Sequence, residues 1–242
     1  MCTVTYIPVG NSIFLTSNRD EQNRRLSALP PDIYTLSSGN LIFPKDADSG
    51  GTWIAFHENG NAIIFLNGAR EGHKPEPPYR KSRGLILVDL IDHITPFNSF
   101  LAINLNRIEP FTAIILDTGY LFECSWDGRR KSHTEIDAAE PHIWSSSTLY
   151  DDEVIRKRAG WFSQWLDEKK ERNQQEIMHF HQFTGDGNIQ NDLLMNREGR
   201  VATVSITSMA IANGSLKTLY FDVKNNRHFF KDMVLEKSMA GR

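Results

Sequence analysis

The chain of 242 residues holds only two cysteines, Cys2 and Cys124. No disulfide framework can be built from them, and a reducing cytoplasm is the expected compartment. No uninterrupted apolar stretch nears the roughly 20 residues that a membrane span needs. The start has no basic region followed by an apolar run, so no signal peptide is expected. Excess charge of one sign is missing as well: 27 Lys and Arg stand against 30 Asp and Glu, a formal net charge of -3. Phosphate backbones call for clustered, unopposed cations. Arg129-Arg130-Lys131 and Lys169-Lys170 are short runs with acids close by, and they read as solvated surface. No nucleic-acid partner is expected. There is no internal repeat, low-complexity tract or coiled-coil pattern, which leaves little for a scaffold role.

Metal-ligand spacing is also lacking. His179 and His181 diverge on a helix and have no Cys, Asp or His partners nearby, so a solvated pair is the expectation. Gly185-Asp186-Gly187 lacks the Lys-Ser/Thr that would follow in a phosphate loop. Neither a metal nor a cofactor is expected.

What the chain does have is a series of hairpins. Residues 2–8 alternate, with Cys2, Val4 and Tyr6 on one face and Thr3, Thr5 and Ile7 on the other. A second apolar run at 12–17 follows Gly10-Asn11, so the two form a hairpin. Further hairpins are predicted at 52–57 with 62–66 and at 111–116 with 120–126. Late strands are expected at 201–207, 217–223 and 227–234. Helical spacing marks 83–94 and about 151–170, the latter after a box-like Thr148–Asp151 and with a stripe of Val154, Ile155, Ala159, Trp161, Phe162, Trp165 and Leu166. A shorter helix is predicted at 174–183. The Pro- and charge-rich stretch from Gly68 to Tyr79 reads as a mobile loop, because strands continue on both sides. Hairpins, then helices, then strands imply a layered α+β fold, read as one domain over 1–242.

The chemistry concentrates at the amino terminus. If Met1 is removed, which a side chain as small as Cys permits, Cys2 carries a thiol and a free α-amine on one carbon. Their reference pKa values, about 8.5 and 7.7–8.0, let the amine take the thiol proton near neutrality without a histidine. Such a site needs a carboxylate to orient the ammonium and donors for an oxyanion. Counting back across the Gly10-Asn11 turn brings Asn18-Arg19-Asp20 near the start of the strand that holds Cys2. The same residue types also fit a small buried strand cysteine and a solvated turn; composition leaves both open.

"MCTV" followed by "SNRDE" (Ser17–Glu21) resembles the NRDE family, of the Transport and Golgi organisation protein 2 type. "GGTWIAF" (Gly50–Phe56), "NAIIFLN" (Asn61–Asn67) and "SRGLILVDL" (Ser82–Leu90) agree in order. The resemblance runs over the whole chain and is strongest in its first third. It implies kinship of fold with choloylglycine-type N-terminal-nucleophile hydrolases, hence a four-layer αββα sandwich and Cys2 as nucleophile. Asp20 matches the carboxylate that orients the amine. The arginine is displaced by two positions, and Arg19 projects to the opposite strand face from its neighbours. Asn67 matches an oxyanion-hole asparagine, a role its uncharged NH₂ suits; a hairpin-end turn is the plainer reading. Ser146 stands where a second asparagine is expected and offers a shorter donor. Arg200 matches a family arginine ahead of a strand, and an exposed loop arginine is the alternative.

Gly50-Gly51 could let backbone approach a ligand or simply turn the chain, and Trp53 could wall a pocket or sit buried. Two functions follow from the resemblance. One is hydrolysis of a non-peptide C–N amide in a small molecule, with Cys2, Asp20, Asn67 and Arg200 as catalytic residues and Asn18, Arg19, Trp53, Arg70 and Ser146 around the substrate. The other is carriage of a hydrophobic ligand such as haem or a lipid-derived species, which eukaryotic members are implicated in handling. In that case Cys2, Trp53 and the cations Arg19, Arg70 and Arg200 would meet carboxylates.

Overall fold

The computed structural model describes residues 3–69 and 72–236. Chain order runs β1 (Thr3–Val9), β2 (Ser12–Gln22), β3 (Leu29–Thr35), β4 (Asn40–Lys45), β5 (Ile54–His57) and β6 (Ala62–Asn67). Next come helices α1 (Arg83–Ile91) and α2 (Pro96–Ala102), then β7 (Phe111–Asp117), β8 (Tyr120–Trp126), β9 (Lys131–Ile136) and β10 (His142–Ser145). The last third holds α3 (Asp152–Glu168), α4 (Gln174–Phe183), β11 (Asn196–Arg197), β12 (Val201–Ala212), β13 (Ser215–Asp222) and β14 (Arg227–Val234).

The strands make two antiparallel sheets. One has the order β10-β1-β2-β12-β13-β14, with β11 against β12; the other runs β3 to β9 in chain order. Alternation decides what each face meets. Val4, Tyr6 and Leu15 of the first sheet pack against Ile54, Phe56 and Ile64 of the second, forming the inter-sheet core. On the first sheet's outer face Ile7 and Phe14 meet Phe162, Trp165 and Phe180 of α3 and α4. The second sheet is buried on both faces, so its central strands are almost continuously apolar, and Ile63, Phe65 and Ile115 face Leu87, Leu90, Ile91 and Phe100 of α1 and α2. Helix, sheet, sheet, helix is the layer order, and the α+β sandwich expected from the sequence is the one found.

The Gly10-Asn11 turn joins β1 to β2 in the register Thr3↔Asn18, Val4↔Ser17, Val9↔Ser12. Gly10 lies at φ +57°, a conformation that costs glycine nothing. Some expectations need correction. The N-cap of α3 is Asp151, whose carboxylate accepts from Val154 N at 2.9 Å, rather than Thr148. The buried stripe of α3 is Val154, Arg158, Phe162 and Trp165, while Ala159 is exposed. His181 is fully buried, not solvated. Its ring nitrogens meet Thr5 Oγ1 at 2.8 Å and Asn18 Oδ1 at 2.6 Å. Burial first, and then the charge of Arg158, push its pKa down to about 3.

Candidate active site

The site sits at the end of β2. Side chains directly opposite in an antiparallel pair share a face, and Asp20 lies opposite Thr203 while Arg19 lies opposite Ser205. The register shifts between Thr203 and Ser205, a β-bulge of the kind often met beside active sites. Arg19 therefore turns into the space between the sheets, and Asn18 and Asp20 turn toward the helices.

On the inter-sheet side opens a cavity of about 640 Å³, within the range of small-molecule sites. Arg19, Trp53 and Asn67 all line it. The guanidinium of Arg19 stacks over the indole of Trp53, 4.5 Å from the ring centroid, and its Nη2 donates to Asp46 Oδ2. Arg19 is only 4 % exposed, and among the described residues its guanidinium makes no other hydrogen bond, with Glu21 Oε2 3.9 Å away. Asp46 is saturated: its Oδ1 accepts from Arg25, Asp48 N, and Ser49 N and Oγ. Burial raises its pKa, but the Ser49 amide and the charges of Arg19 and Arg25 outweigh it, and the carboxyl lies below its usual range. Trp53 Nε1 is buried without a hydrogen-bond partner among the described residues. Toward the mouth Arg25, Arg80, Lys81 and Arg83 join the lining, so five cations face three anions there, Glu21, Asp46 and Glu109. A cationic cavity in a chain of net charge -3 attracts acids locally.

Asn67 closes β6, paired with Phe111 of β7, so it ends a central strand rather than a tight turn. Its carboxamide makes no hydrogen bond among the described residues. Its backbone carbonyl accepts from Ser146 Oγ at 2.7 Å and Thr148 Oγ1 at 3.4 Å. A serine hydroxyl has one proton to give. Ser146, 1 % exposed and not part of the cavity lining, spends that proton on Asn67. It holds Asn67; it is not placed to meet a substrate.

Asp20 is buried on the helix side, where it accepts from Tyr150 Oη at 2.7 Å and Thr203 Oγ1 at 2.6 Å. One expected substrate contact, Asn18, and one expected catalytic residue, Arg200, lie away from the cavity. Asn18 is fully buried, with Nδ2 donating to His181 O at 3.1 Å and Leu193 O at 2.6 Å, so it ties the sheet to α4. Arg200 is exposed over 82 % of its side chain and pairs with Glu198, away from the cavity. Cys2 and Arg70 lie outside the described residues. Cys124 is buried in β8, its thiol pushed up to about 12 by burial and then by Glu123. Among the described residues no cluster of three or more His, Cys, Asp or Glu could hold a metal ion. No helix among them is long and apolar enough to cross a membrane.

Sequence reasoning missed Asp46, Tyr150, Arg158 and Thr203. Asp46 had a local signal, since an aspartate two and three residues ahead of amides it can cap is an Asx turn. Arg158 had another, a charge on the apolar stripe of a helix. The hydroxyls of Tyr150 and Thr203 meet Asp20 from 130 and 183 residues away, and no local pattern marks them.

Comparison with known proteins agrees with this architecture. The profile of a family described as Transport and Golgi organisation 2 matches residues 1–220. Among curated proteins none matches. Two solved variants of the conjugated bile acid hydrolase from Clostridium perfringens superpose with TM-scores of 0.59 and 0.58, each at 10% identity. The alignments cover 96% of this chain and 92% of that one in the first case, 99% and 100% in the second. The Caenorhabditis elegans orthologue of N-acylethanolamine-hydrolyzing acid amidase superposes with a TM-score of 0.56 at 10% identity, over 86% of this chain and 92% of that one. The likeness shows that the fold is shared with N-terminal-nucleophile amide hydrolases.

Proposed function

The chain belongs to the Transport and Golgi organisation 2 family, and from that premise we propose that it is an N-terminal cysteine hydrolase of small-molecule amides. The observation that carries this reading is the convergence of Arg19, Trp53 and Asn67 on one cavity. Arg19 follows Asn18 on β2, and Asn18 pairs with Thr3, the residue after Cys2. The conjugated bile acid hydrolase and the N-acylethanolamine amidase that share the fold both cleave such bonds by name.

In the proposed reaction Met1 is absent and the α-amine of Cys2 takes the thiol proton. The thiolate attacks the amide carbonyl, and the oxyanion forms against Asn67 Nδ2, an uncharged donor on the cavity wall. Collapse breaks the C–N bond, and the leaving amine takes the proton from the ammonium. The same amine then removes a proton from water, which attacks the thioester; the acid departs and the thiol regains its proton. Asp20 orients the amine. The cations at the mouth favour an amide whose leaving part carries an acid.

The experiment is turnover of N-acylglycines and N-acylethanolamines by protein whose amino terminus has been read by intact mass. Loss of Met1, hydrolysis abolished by Cys2→Ala, and a preference for N-acylglycines are expected. Uniform retention of Met1 overturns the mechanism. A second reading, a non-catalytic carrier of a hydrophobic ligand such as haem or a lipid-derived acid, has its own support: Ser146 gives its one proton to Asn67 O, and among the described residues of the cavity lining Asn67 is the one side-chain amide donor. Tight binding of such an acid without turnover would favour it.

A further inference from the structure

Beneath the first sheet, on the side away from the cavity, lies a buried polar assembly that packing does not require. Arg158 of α3 is fully buried on the helix's apolar stripe. Its guanidinium donates to Asn191 O at 3.2 and 3.0 Å, to Asp192 O at 2.7 Å and, through Nη1, to Thr3 Oγ1. No carboxylate bonds it among the described residues. A buried guanidinium held by carbonyls and a hydroxyl is costly to desolvate, and an apolar side chain of similar volume would fill the stripe at less cost. Its flat face rests on Tyr150, 3.7 Å from the ring centroid, and the guanidinium of Arg197 lies 5.3 Å from the same ring. The hydroxyl of that tyrosine donates to Asp20. One side chain thus touches both the residue that follows Cys2 and the tyrosine that holds the carboxylate.

We propose that Arg158, Tyr150 and Thr203 are positioning residues that set the start of β1 and the carboxylate of Asp20 in one fixed relation. The inference rests on the hydrolase reading given above. Arg158 anchors Thr3, and its stacked face fixes the ring of Tyr150. Tyr150 Oη on Oδ2 and Thr203 Oγ1 on Oδ1 then leave Asp20 one rotamer. None of the three residues lines the cavity. They should act on the chemical step and leave substrate binding alone.

The test uses Tyr150→Phe, which keeps the ring on Arg158 and removes only the hydroxyl. Thr203→Val and Thr203→Ser form a pair, the second restoring the hydroxyl. With an N-acylglycine as substrate, Tyr150→Phe and Thr203→Val should lower kcat about 10–100-fold, with KM within about twofold of the parent and Thr203→Ser recovering most of the loss. Arg158→Lys keeps the charge but cannot bond three carbonyl contacts, bond Thr3 and stack at once, and it should show the same kcat loss if it folds. Unchanged kcat in both hydroxyl deletions, or a loss confined to KM, overturns the proposal. If the parent turns over no amide, the hydrolase reading fails by itself, and the positioning role is read on Cys2 directly. Mapped iodoacetamide labelling of Cys2 at pH 7.4 should then slow at least threefold in Tyr150→Phe and in Thr203→Val with Cys124 unchanged; equal rates overturn it.

Discussion

Gly51 and Gly84 occupy one another's side-chain space. A Cβ on Gly51 would stand 2.4 Å from the carbonyl carbon of Gly84 and 2.6 Å from Leu85 N, and one on Gly84 would stand 2.9 Å from Thr52 O. Thr52 N donates to Gly84 O at 3.2 Å across the same contact. The two glycine-bearing stretches, "GGTWIAF" and "SRGLILVDL", are two halves of one junction. It seats the first turn of α1, capped by Ser82 Oγ accepting from Leu85 N at 3.3 Å, against the Gly51–Trp53 segment that leads into β5. The close approach expected at Gly50-Gly51 is therefore made to a helix of the same chain.

Gly51→Ala should destabilise the protein by about 1–3 kcal/mol through overpacking against backbone that cannot yield cheaply, and Gly84→Ala by a similar amount. Because Arg83, Gly84 and Leu85 line the cavity, ligand binding should weaken as well. Urea unfolding and binding isotherms check both effects. Unaltered midpoints in both variants would mean that the junction is looser than this geometry.

A buried guanidinium bonded to a saturated carboxylate is sensitive to loss of either partner. Asp46→Ala leaves Arg19 with only the more distant Glu21, 3.9 Å away, and undoes the 46–49 turn, so a loss of roughly 3–5 kcal/mol is expected. Arg19→Met keeps an unbranched side chain at the position and removes the charge and the stacked guanidinium. It should be tolerated better as a fold, yet should abolish the preference for acid-bearing ligands. Thermal denaturation separates the two variants. Arg19→Met binding an acid as tightly as the parent would remove Arg19 from the site.

His181 predicts a pH dependence with a definite sign. Its folded pKa, about 3, lies below the ordinary value of 6.5. Between those values the unfolded chain binds a proton that the native state does not, so stability rises with pH there and falls on acidification. The contribution is intact above about pH 6.5 and is lost progressively toward pH 3, on the order of several kcal/mol at the acid limit. Urea midpoints at pH 7, 5.5 and 4.5 measure it, and His181→Gln should flatten the slope over that window. An equal slope in the variant would assign the acid sensitivity to other groups.

The parts of the fold that were legible have local causes. β1 and β2 alternate about a Gly-Asn turn, and α3 and α4 repeat their apolar residues at helical spacing, so periodicity marked them. β3 escaped because "LPPDIYT" carries two prolines and is largely exposed. It is an edge strand, where a missing N–H is tolerated. β9, "KSHTEI", lies at the opposite edge and has no apolar alternation to read. β10 is another edge of four residues, and α2 is only seven residues long. In the site, Arg19, Trp53 and Asn67 were legible because motif stretches contain them. Asn18 was misjudged, since its strand face is covered by α4, an element 163 residues away. Ser146 was seen but its role was not, because a hydroxyl's partner depends on the fold.

The two cysteines give the last test. Cys124 is fully buried with its thiol pushed up to about 12, so almost none of it is thiolate at neutral pH. The proposed Cys2, beside its own amine, should be partly thiolate near neutrality. Iodoacetamide should therefore label Cys2 at pH 7.4 well ahead of Cys124 in folded protein, and the two should converge in denaturant. Equal rates in the folded state would count against an activated thiol. Asn67→Ala extends the test to the oxyanion. If its carboxamide donates there, kcat should fall about 10²–10³-fold, or roughly 3–4 kcal/mol, while labelling of Cys2 keeps its rate, because Asn67 acts on the carbonyl and not on the thiol. Loss of turnover with labelling intact places Asn67 at the reacting carbonyl; loss of both means that the substitution disturbs the strand end that Ser146 and Thr148 hold.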